Sequence, residues 1–188
     1  MAEEIEAKVK VVDPAALRRR LAELGAAGGA PVLEVNRLFD DATGSLGRRG
    51  AALRVREVRR PDDRALMRTV LTCKGPRRAG GVKRRAEFET AVESLDALLA
   101  ILAALDLAQT FLFEKRRTAW LWGGCEVVLD ELPGLGWFAE VEGLTEGAVL
   151  AALADLGLDG EHIIPQTYMQ LLSEHLAAAG RDPTRAVF

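Results

Sequence analysis

The sequence has no apolar run near twenty residues and no basic leader followed by an apolar stretch. We therefore expect neither a membrane-spanning helix nor a secretory signal, and a cytoplasmic protein without membrane contacts is the default expectation. The formal net charge is −3. This charge argues against a protein that binds nucleic acid, because such a protein needs a net basic surface or a concentrated basic stripe.

Sulfur and imidazole ligands are also scarce. Cys73 and Cys125 lie far apart without a CxxC motif, and His162 and His175 are equally isolated. The sequence therefore predicts neither a disulfide framework nor a zinc site.

Length and composition predict one domain. The chain has 188 residues, of which 49% are hydrophobic, and this is enough for one sizeable continuous core. We expect a single domain over residues 1–179. Residues 180–188 show no periodic pattern, so we expect a loose C-terminal tail there.

Alternating apolar and polar residues recur along the chain and predict about eight strands. These strands are Glu4–Val11, Val32–Phe39, Ala51–Val58, Ala65–Lys74, Arg84–Val92, Leu112–Trp122, Glu126–Glu131 and Trp137–Gly143. Capping signals predict three helices, from Pro14 to Gly25, from Ser94 to Leu105 and from Thr145 to Leu156. We expect a last helix from Gln166 to Ala179. This order does not alternate regularly enough for a doubly wound parallel sheet, so we predict an antiparallel α+β domain.

In several predicted strands the charged residues occupy every second position, and apolar residues occupy the positions between them. In the first strand Glu4, Glu6 and Lys8 alternate with Ile5 and Ala7, so neighbouring charged side chains lie about 6–7 Å apart on one face. An exposed sheet face is the commoner explanation for a single strand of this kind. Its repetition favours an eight-stranded antiparallel sheet closed into a barrel, with the charges inside and the helices packed outside.

A charged interior needs a matching ligand, because buried like charges are costly unless they are paired. Arginine and lysine bind phosphate oxygens through charge-assisted hydrogen bonds. Carboxylates instead hold Mg²⁺ or Mn²⁺, which bridge phosphate oxygens. The mixture of acids and bases therefore predicts a site for a polyphosphate and a divalent cation.

The order of the charged motifs resembles that of the CYTH superfamily, the triphosphate tunnel metalloenzymes, which include class IV adenylyl cyclases, thiamine triphosphatases and inorganic triphosphatases. The resemblance covers nearly the whole chain. The motifs that carry it are Glu4-x-Glu6-x-Lys8, Leu53-Arg54-Val55-Arg56, Lys74-Gly75-Pro76, Arg85-x-Glu87-x-Glu89, Lys115-x-Arg117, Asp130 and Glu140-x-Glu142. Each motif is short, but seven in this order are a specific signal.

The resemblance implies a role for each of these residues and Mg²⁺ or Mn²⁺ as the cofactor. The implied metal ligands, direct or through water, are Glu4, Glu6, Asp130, Glu140 and Glu142. The implied triphosphate-binding residues are Lys8, Arg54, Arg56, Lys74, Arg85, Lys115 and Arg117, of which Lys8 and Lys74 are the implied catalytic residues. Glu87 and Glu89 either complete the acidic set or pair with neighbours across the sheet.

Two stretches, Leu129–Glu140 and Pro165–Leu172, look most like class IV adenylyl cyclases and their prokaryotic relatives. The expected reaction is then the conversion of ATP to cyclic AMP and pyrophosphate. Hydrolysis of tripolyphosphate or thiamine triphosphate stays open, and so does a non-catalytic sensor that binds nucleotide or polyphosphate. The expected partner is a small molecule with a triphosphate group, and a homodimer is a further open alternative.

The related triphosphatases are thought to pair a lysine with a tyrosine, and this chain departs from that pattern. Leu38 stands where the tyrosine is expected, just before Phe39 and Asp40. This departure weakens the thiamine triphosphatase alternative. Tyr168 is the only tyrosine in the chain, and its place in the predicted C-terminal helix indicates a plug or packing role.

Overall fold

The computed structural model describes residues 4–76 and 83–188, and for Glu4 and residues 83–85 it describes the backbone alone. The strands are β1 (Glu4–Val11), β2 (Ala27–Gly28), β3 (Val32–Asp41), β4 (Ala52–Arg59), β5 (Leu66–Lys74), β6 (Lys83–Arg85), β7 (Glu87–Val92), β8 (Leu107–Trp122), β9 (Cys125–Leu132), β10 (Gly136–Gly143) and β11 (Arg185–Ala186). The helices are α1 (Pro14–Glu23), α2 (Ser45–Arg48), α3 (Leu95–Ala104), α4 (Glu146–Asp155) and α5 (Tyr168–Ala178).

The main sheet follows the order β6-β1-β10-β9-β8-β3-β4-β5-β7, and each pairing along this path is antiparallel. Only Ala86 separates β6 from β7. One stretch of chain therefore pairs first with β1 and then with β5, and it joins the two ends of the sheet. The predicted antiparallel α+β tunnel fold is confirmed, but among the described residues β6 and β7 do not pair with each other, so the sheet is not closed into a barrel by hydrogen bonds as predicted.

All eight predicted strands are present. The structure has three more strands because the predicted strand Arg84–Val92 is divided at Ala86 and because β2 and β11, of two residues each, are added. Two residues are too few to produce an alternating pattern, so the sequence gives no signal for these short strands.

The outer face of β1, β9 and β10 forms the largest apolar core. Residues such as Ala7, Val9 and Val141 are fully buried there against α1 and α4. Helices α1, α3 and α4 begin where the sequence predicts, because polar side chains cap them. At α1, Asp13 accepts hydrogen bonds from the backbone N–H groups of Ala15 and Ala16 at 3.0 and 2.9 Å. This packing leaves the opposite, charged face of the sheet directed toward the interior of the tunnel.

Helix α5 packs on the inner face of the sheet, whereas α1 and α4 pack on the outer face. The inner face of β8 changes from Lys115 and Arg117 to Phe113 and Phe111, and these phenylalanines form a buried cluster with Tyr168 and other α5 residues. Helix α5 therefore closes one end of the barrel. Among the described ranges 4–76 and 83–188, no helix is long and apolar enough to cross a membrane.

The C-terminal segment, expected as a loose tail, is docked on the sheet. Strand β11 pairs with β8 in parallel, and Ala186 is only 1% exposed. The backbone N–H of Phe188 donates to Glu114 at 3.1 Å. Such a short docked segment depends on contacts with distant strands, which no local sequence pattern encodes.

This docking predicts different costs for charges at neighbouring positions of β11. The substitution Ala186→Glu should lower the free energy of unfolding by about 3 kcal/mol or more, because it buries an unpaired charge. Arg185→Glu, at an exposed position of the same strand, should change it by about 0.5 kcal/mol or less. Chemical denaturation of both variants measures the difference, and equally small effects would mean that β11 does not dock in solution.

Candidate functional site

The inner face of the barrel gathers six of the predicted phosphate-binding residues from four strands. They are Lys8 on β1, Arg54 and Arg56 on β4, Lys74 on β5, and Lys115 and Arg117 on β8. The remaining one, Arg85, lies outside the described side chains, as does Glu4. Their backbones are register partners in β1 and β6.

Asp130 is the buried centre of this inner face. Its side chain is 0% exposed and accepts two hydrogen bonds from the Arg117 guanidinium, at 2.7 and 2.6 Å, and one from Lys115 Nζ at 3.2 Å. Arg117 also donates to Glu140 at 2.8 Å. Burial opposes the charge of Arg117, but Asp130 and the neighbouring glutamates outweigh it and raise the pKa of Arg117 well above its ordinary value.

Glu34 belongs to the same network, although the sequence reasoning missed it. This carboxylate is 3% exposed and lies between Lys115 Nζ at 3.3 Å and Arg56 Nε at 3.4 Å. Burial favours its neutral form, but Lys115, Arg56 and Arg117 outweigh burial and hold the pKa of Glu34 well below its ordinary value. The available signal was its parity, since Glu34 alternates with the apolar residues Leu33 and Val35 on β3.

Lys8 connects this network to α5. Its ammonium donates to the backbone carbonyl of Gln166 at 2.9 Å, lies 3.4 Å from Glu140 and sits 4.2 Å from the centre of the Tyr168 ring. Lys115 lies 5.3 Å from the same ring centre. Tyr168, predicted as a plug or packing residue, is thus in contact with two candidate phosphate-binding lysines.

A second group of charges lies across the barrel on β4, β5 and β7. Glu87 pairs with Lys74 and lies 3.8 Å from Arg54. Arg54 donates to the Thr72 hydroxyl at 3.2 Å, and this hydroxyl donates to Glu89 at 3.1 Å. Glu87 therefore compensates the charge of Lys74 and part of that of Arg54, and Glu89 is linked to Arg54 through Thr72.

The remaining predicted metal ligands lie side by side at one end of the inner face. Glu6 on β1 is the register partner of Glu142 on β10, and Glu142 is the partner of Glu126 on β9. Like charges directly opposite each other on a sheet are destabilising, and carboxylate oxygens are the ligands that Mg²⁺ and Mn²⁺ prefer. Glu126 is a further acid that sequence reasoning missed.

The predicted metal-binding carboxylates do not converge on one point in this structure. Within the described part of the chain, no three acidic, histidine or cysteine side chains form a group that could hold a metal ion. Asp130 and Glu140 are instead engaged by Lys115, Arg117 and Lys8. The donor chemistry suits a hard divalent cation, but a metal site here requires the carboxylates to leave some of their basic partners.

Four buried polar atoms on the inner face have no hydrogen-bond partner among the described residues: Glu34 Oε2, Asn36 Nδ2, Arg54 Nε and the Tyr168 hydroxyl. Glu34 Oε2 is an acceptor that is compensated by its ion pairs with Arg56 and Lys115. The other three are able to donate a hydrogen bond. Burial, together with the nearby Arg56 charge, lowers the pKa of Arg54 to about 9, and Glu34 and Glu87 offset only part of this effect. Unpaired buried donors among several bases indicate a ligand with acceptor oxygens.

Comparison with known proteins agrees with this geometry. The profile of the CYTH domain matches residues 2–168. The chain belongs to the CYTH domain family. No curated protein matches the chain, but solved structures share its fold.

Three solved structures illustrate the likeness to this CYTH protein. A "putative adenylate cyclase" from Vibrio parahaemolyticus has a TM-score of 0.80 at 21% identity, over 92% of this chain and 98% of the other. A second "putative adenylate cyclase", from Bacillus halodurans, has a TM-score of 0.61 at 20% identity. The match covers 91% of this chain and 98% of the other. A "putative adenylyl cyclase" from Hippeastrum, described as having a dominant triphosphatase activity, has a TM-score of 0.65 at 19% identity, over 97% of each chain. At these identities the likeness concerns the fold.

The Glu34 network predicts an acid-dependent stability. The folded-state pKa of Glu34 lies below the ordinary value of 4.5, so its contribution is complete above that pH and is lost progressively as the pH falls below it. The substitution Glu34→Gln should lower the free energy of unfolding by about 3 kcal/mol at pH 7, because Lys115 and Arg56 lose a buried partner. The deficit should shrink as the pH falls from about 5 to about 2.

Denaturation of wild type and Glu34→Gln across this pH range measures the effect. Glu131→Gln is a matched control, because Glu131 pairs with the half-exposed Arg116 on the outer face, where an ion pair contributes about 0–1 kcal/mol. A deficit for Glu34→Gln that is independent of pH would contradict an ionised Glu34.

Proposed function

We propose that this CYTH protein is a divalent-metal-dependent enzyme that binds a linear triphosphate inside the barrel. The observation that carries the proposal is the set of unpaired buried donors, Asn36 Nδ2, Arg54 Nε and the Tyr168 hydroxyl, among converging lysines and arginines. A triphosphate has many acceptor oxygens and several negative charges, so it is able to satisfy these donors and the neighbouring bases together.

The bases divide the proposed site into two walls. Lys8, Lys115 and Arg117 form one wall, and Arg54, Arg56 and Lys74 form the other. Each arginine is able to bind phosphate oxygens in a fork, whereas each lysine acts as a point charge. Arg85 would add to these bases by family resemblance.

Anion and cation binding are coupled in this proposal. Asp130 and Glu140 are now held by Lys115, Arg117 and Lys8. A triphosphate that binds these bases releases carboxylate oxygens, and those oxygens, with Glu6, Glu142 and by resemblance Glu4, would hold Mg²⁺ or Mn²⁺. The metal would neutralise phosphate charge and polarise the phosphorus that is attacked.

Cyclisation of ATP is the first candidate reaction. In it the ribose 3′ hydroxyl attacks the α-phosphorus and pyrophosphate leaves. Support comes from the stretches Leu129–Glu140 and Pro165–Leu172, which resemble class IV adenylyl cyclases, and from structural neighbours described as putative adenylate cyclases.

Hydrolysis of the terminal phosphate is the second candidate. Support for it comes from Tyr168, a buried tyrosine whose ring centre lies 4.2 Å from Lys8 Nζ, and from the neighbour described as having a dominant triphosphatase activity. Either reaction uses the same phosphate-binding walls, and they differ in which phosphorus reacts.

Product analysis separates the candidates. The protein should be incubated with ATP, tripolyphosphate and thiamine triphosphate, each with Mg²⁺ or Mn²⁺. Cyclic AMP with pyrophosphate indicates a cyclase, orthophosphate indicates a hydrolase, and tight binding without turnover indicates a sensor. Absence of both binding and turnover with every triphosphate and metal would refute the triphosphate site.

Arg54 provides a direct test of the phosphate-binding wall. The substitution Arg54→Met should weaken tripolyphosphate binding about 10-fold or more, because a charged hydrogen-bond donor contributes about 1.5–3 kcal/mol. Its stability should change little, because the guanidinium is incompletely paired without ligand. Arg116→Met, on the half-exposed outer face, is the control and should bind as wild type in a titration calorimetry experiment.

Glu6 and Glu142 test the metal requirement. A chelator should abolish turnover, and Mg²⁺ should restore it. The substitutions Glu6→Gln and Glu142→Gln should each raise the metal concentration for half-maximal activity about 10-fold, as is typical when a metal site is perturbed. Each should change the metal requirement more than the thermal stability, because each removes one of two opposed like charges. A loss of stability with an unchanged metal requirement would favour a structural role.

A further inference from the structure

We propose that the Tyr168 hydroxyl donates a hydrogen bond to an oxygen of the bound triphosphate, so that α5 contributes a ligand-contacting group to the site. This inference rests on the proposed function and adds a residue from outside the strands. Sequence patterning indicated only a plug or packing role for Tyr168.

The ring of Tyr168 is held rigidly. The residue is 7% exposed, and its ring packs edge-on against Phe138 with 5.6 Å between ring centres. The preceding residue, Thr167, caps α5 together with Gln170 in a capping box. The segment before α5 is fixed to β1, because the Ile164 N–H donates to the Lys8 carbonyl at 2.7 Å. The phenol therefore has a defined position relative to Lys8.

The polar end of this rigid side chain has no hydrogen bond of ordinary geometry, and a buried group in this state costs about 1–3 kcal/mol. Asp130 interacts with the hydroxyl, but the oxygens of Asp130 already accept three hydrogen bonds from Lys115 and Arg117. A packing role alone needs only a phenylalanine.

Two lysines lie against the ring of Tyr168. The ring centre is 4.2 Å from Lys8 Nζ and 5.3 Å from Lys115 Nζ, so a phosphate bound to these two lysines would lie near the phenol. A tyrosine hydroxyl carries its proton at neutral pH and is therefore able to donate a hydrogen bond to a phosphate oxygen.

The substitution Tyr168→Phe tests the inference, because it removes the hydroxyl and keeps the ring. Without ligand, the melting temperature should stay the same or rise, since an unsatisfied buried group is removed. Tripolyphosphate in the presence of Mg²⁺ should bind about 10-fold more weakly by calorimetry, and it should raise the melting temperature less than in wild type. Met169→Leu, in the same apolar cluster, is the control and should bind as wild type.

The outcomes distinguish this inference from the proposed function. If wild type neither binds nor converts tripolyphosphate, the proposed function is wrong and the inference fails with it. If wild type binds it and Tyr168→Phe binds equally well, with the same kcat and KM, only the role of Tyr168 is wrong. A lower melting temperature of ligand-free Tyr168→Phe, with unchanged binding, would assign the hydroxyl a structural role and likewise overturn the inference.

Discussion

The buried carboxylate of Asp130 makes the barrel interior possible. Lys115 and Arg117 lie near each other on the inner face of the sheet, where burial acts against both charges and Arg117 repels Lys115. Asp130 accepts three hydrogen bonds from them, and Glu34 and Glu140 extend the same compensation to Arg56 and Lys8. Without these carboxylates the bases would not converge, because buried charges need partners.

The ion pairs between the inner carboxylates and bases determine what a ligand must displace in order to bind. An anion that binds the inner bases competes with carboxylates that already hold them, and the carboxylates that it displaces are then left without charge compensation. A divalent cation would restore the balance, which is why the proposed function couples a metal with a polyphosphate. The unpaired donors of Asn36, Arg54 and Tyr168 indicate where additional acceptors fit.

Much of this arrangement could be predicted from the sequence. The parity of Lys8, Arg54, Arg56, Lys115 and Arg117 is a local property of each strand, and it follows from the two-residue period of β structure. Once one face is apolar and covered by helices, the other face must turn inward in a closed sheet. The caps of α1 and α5 are equally local, because the capping side chain and its partners lie within three residues.

The sequence by itself determined the faces of the strands and the family to which the chain belongs. Tertiary structure alone decided the partners: Glu34 became a site residue because β3 lies between β4 and β8, and Tyr168 met Lys8 because α5 packs on the inner face. Residues 185–186 also became a strand through pairing with β8. These contacts join residues far apart in sequence, whose proximity depends on closure of the whole sheet rather than on any local pattern.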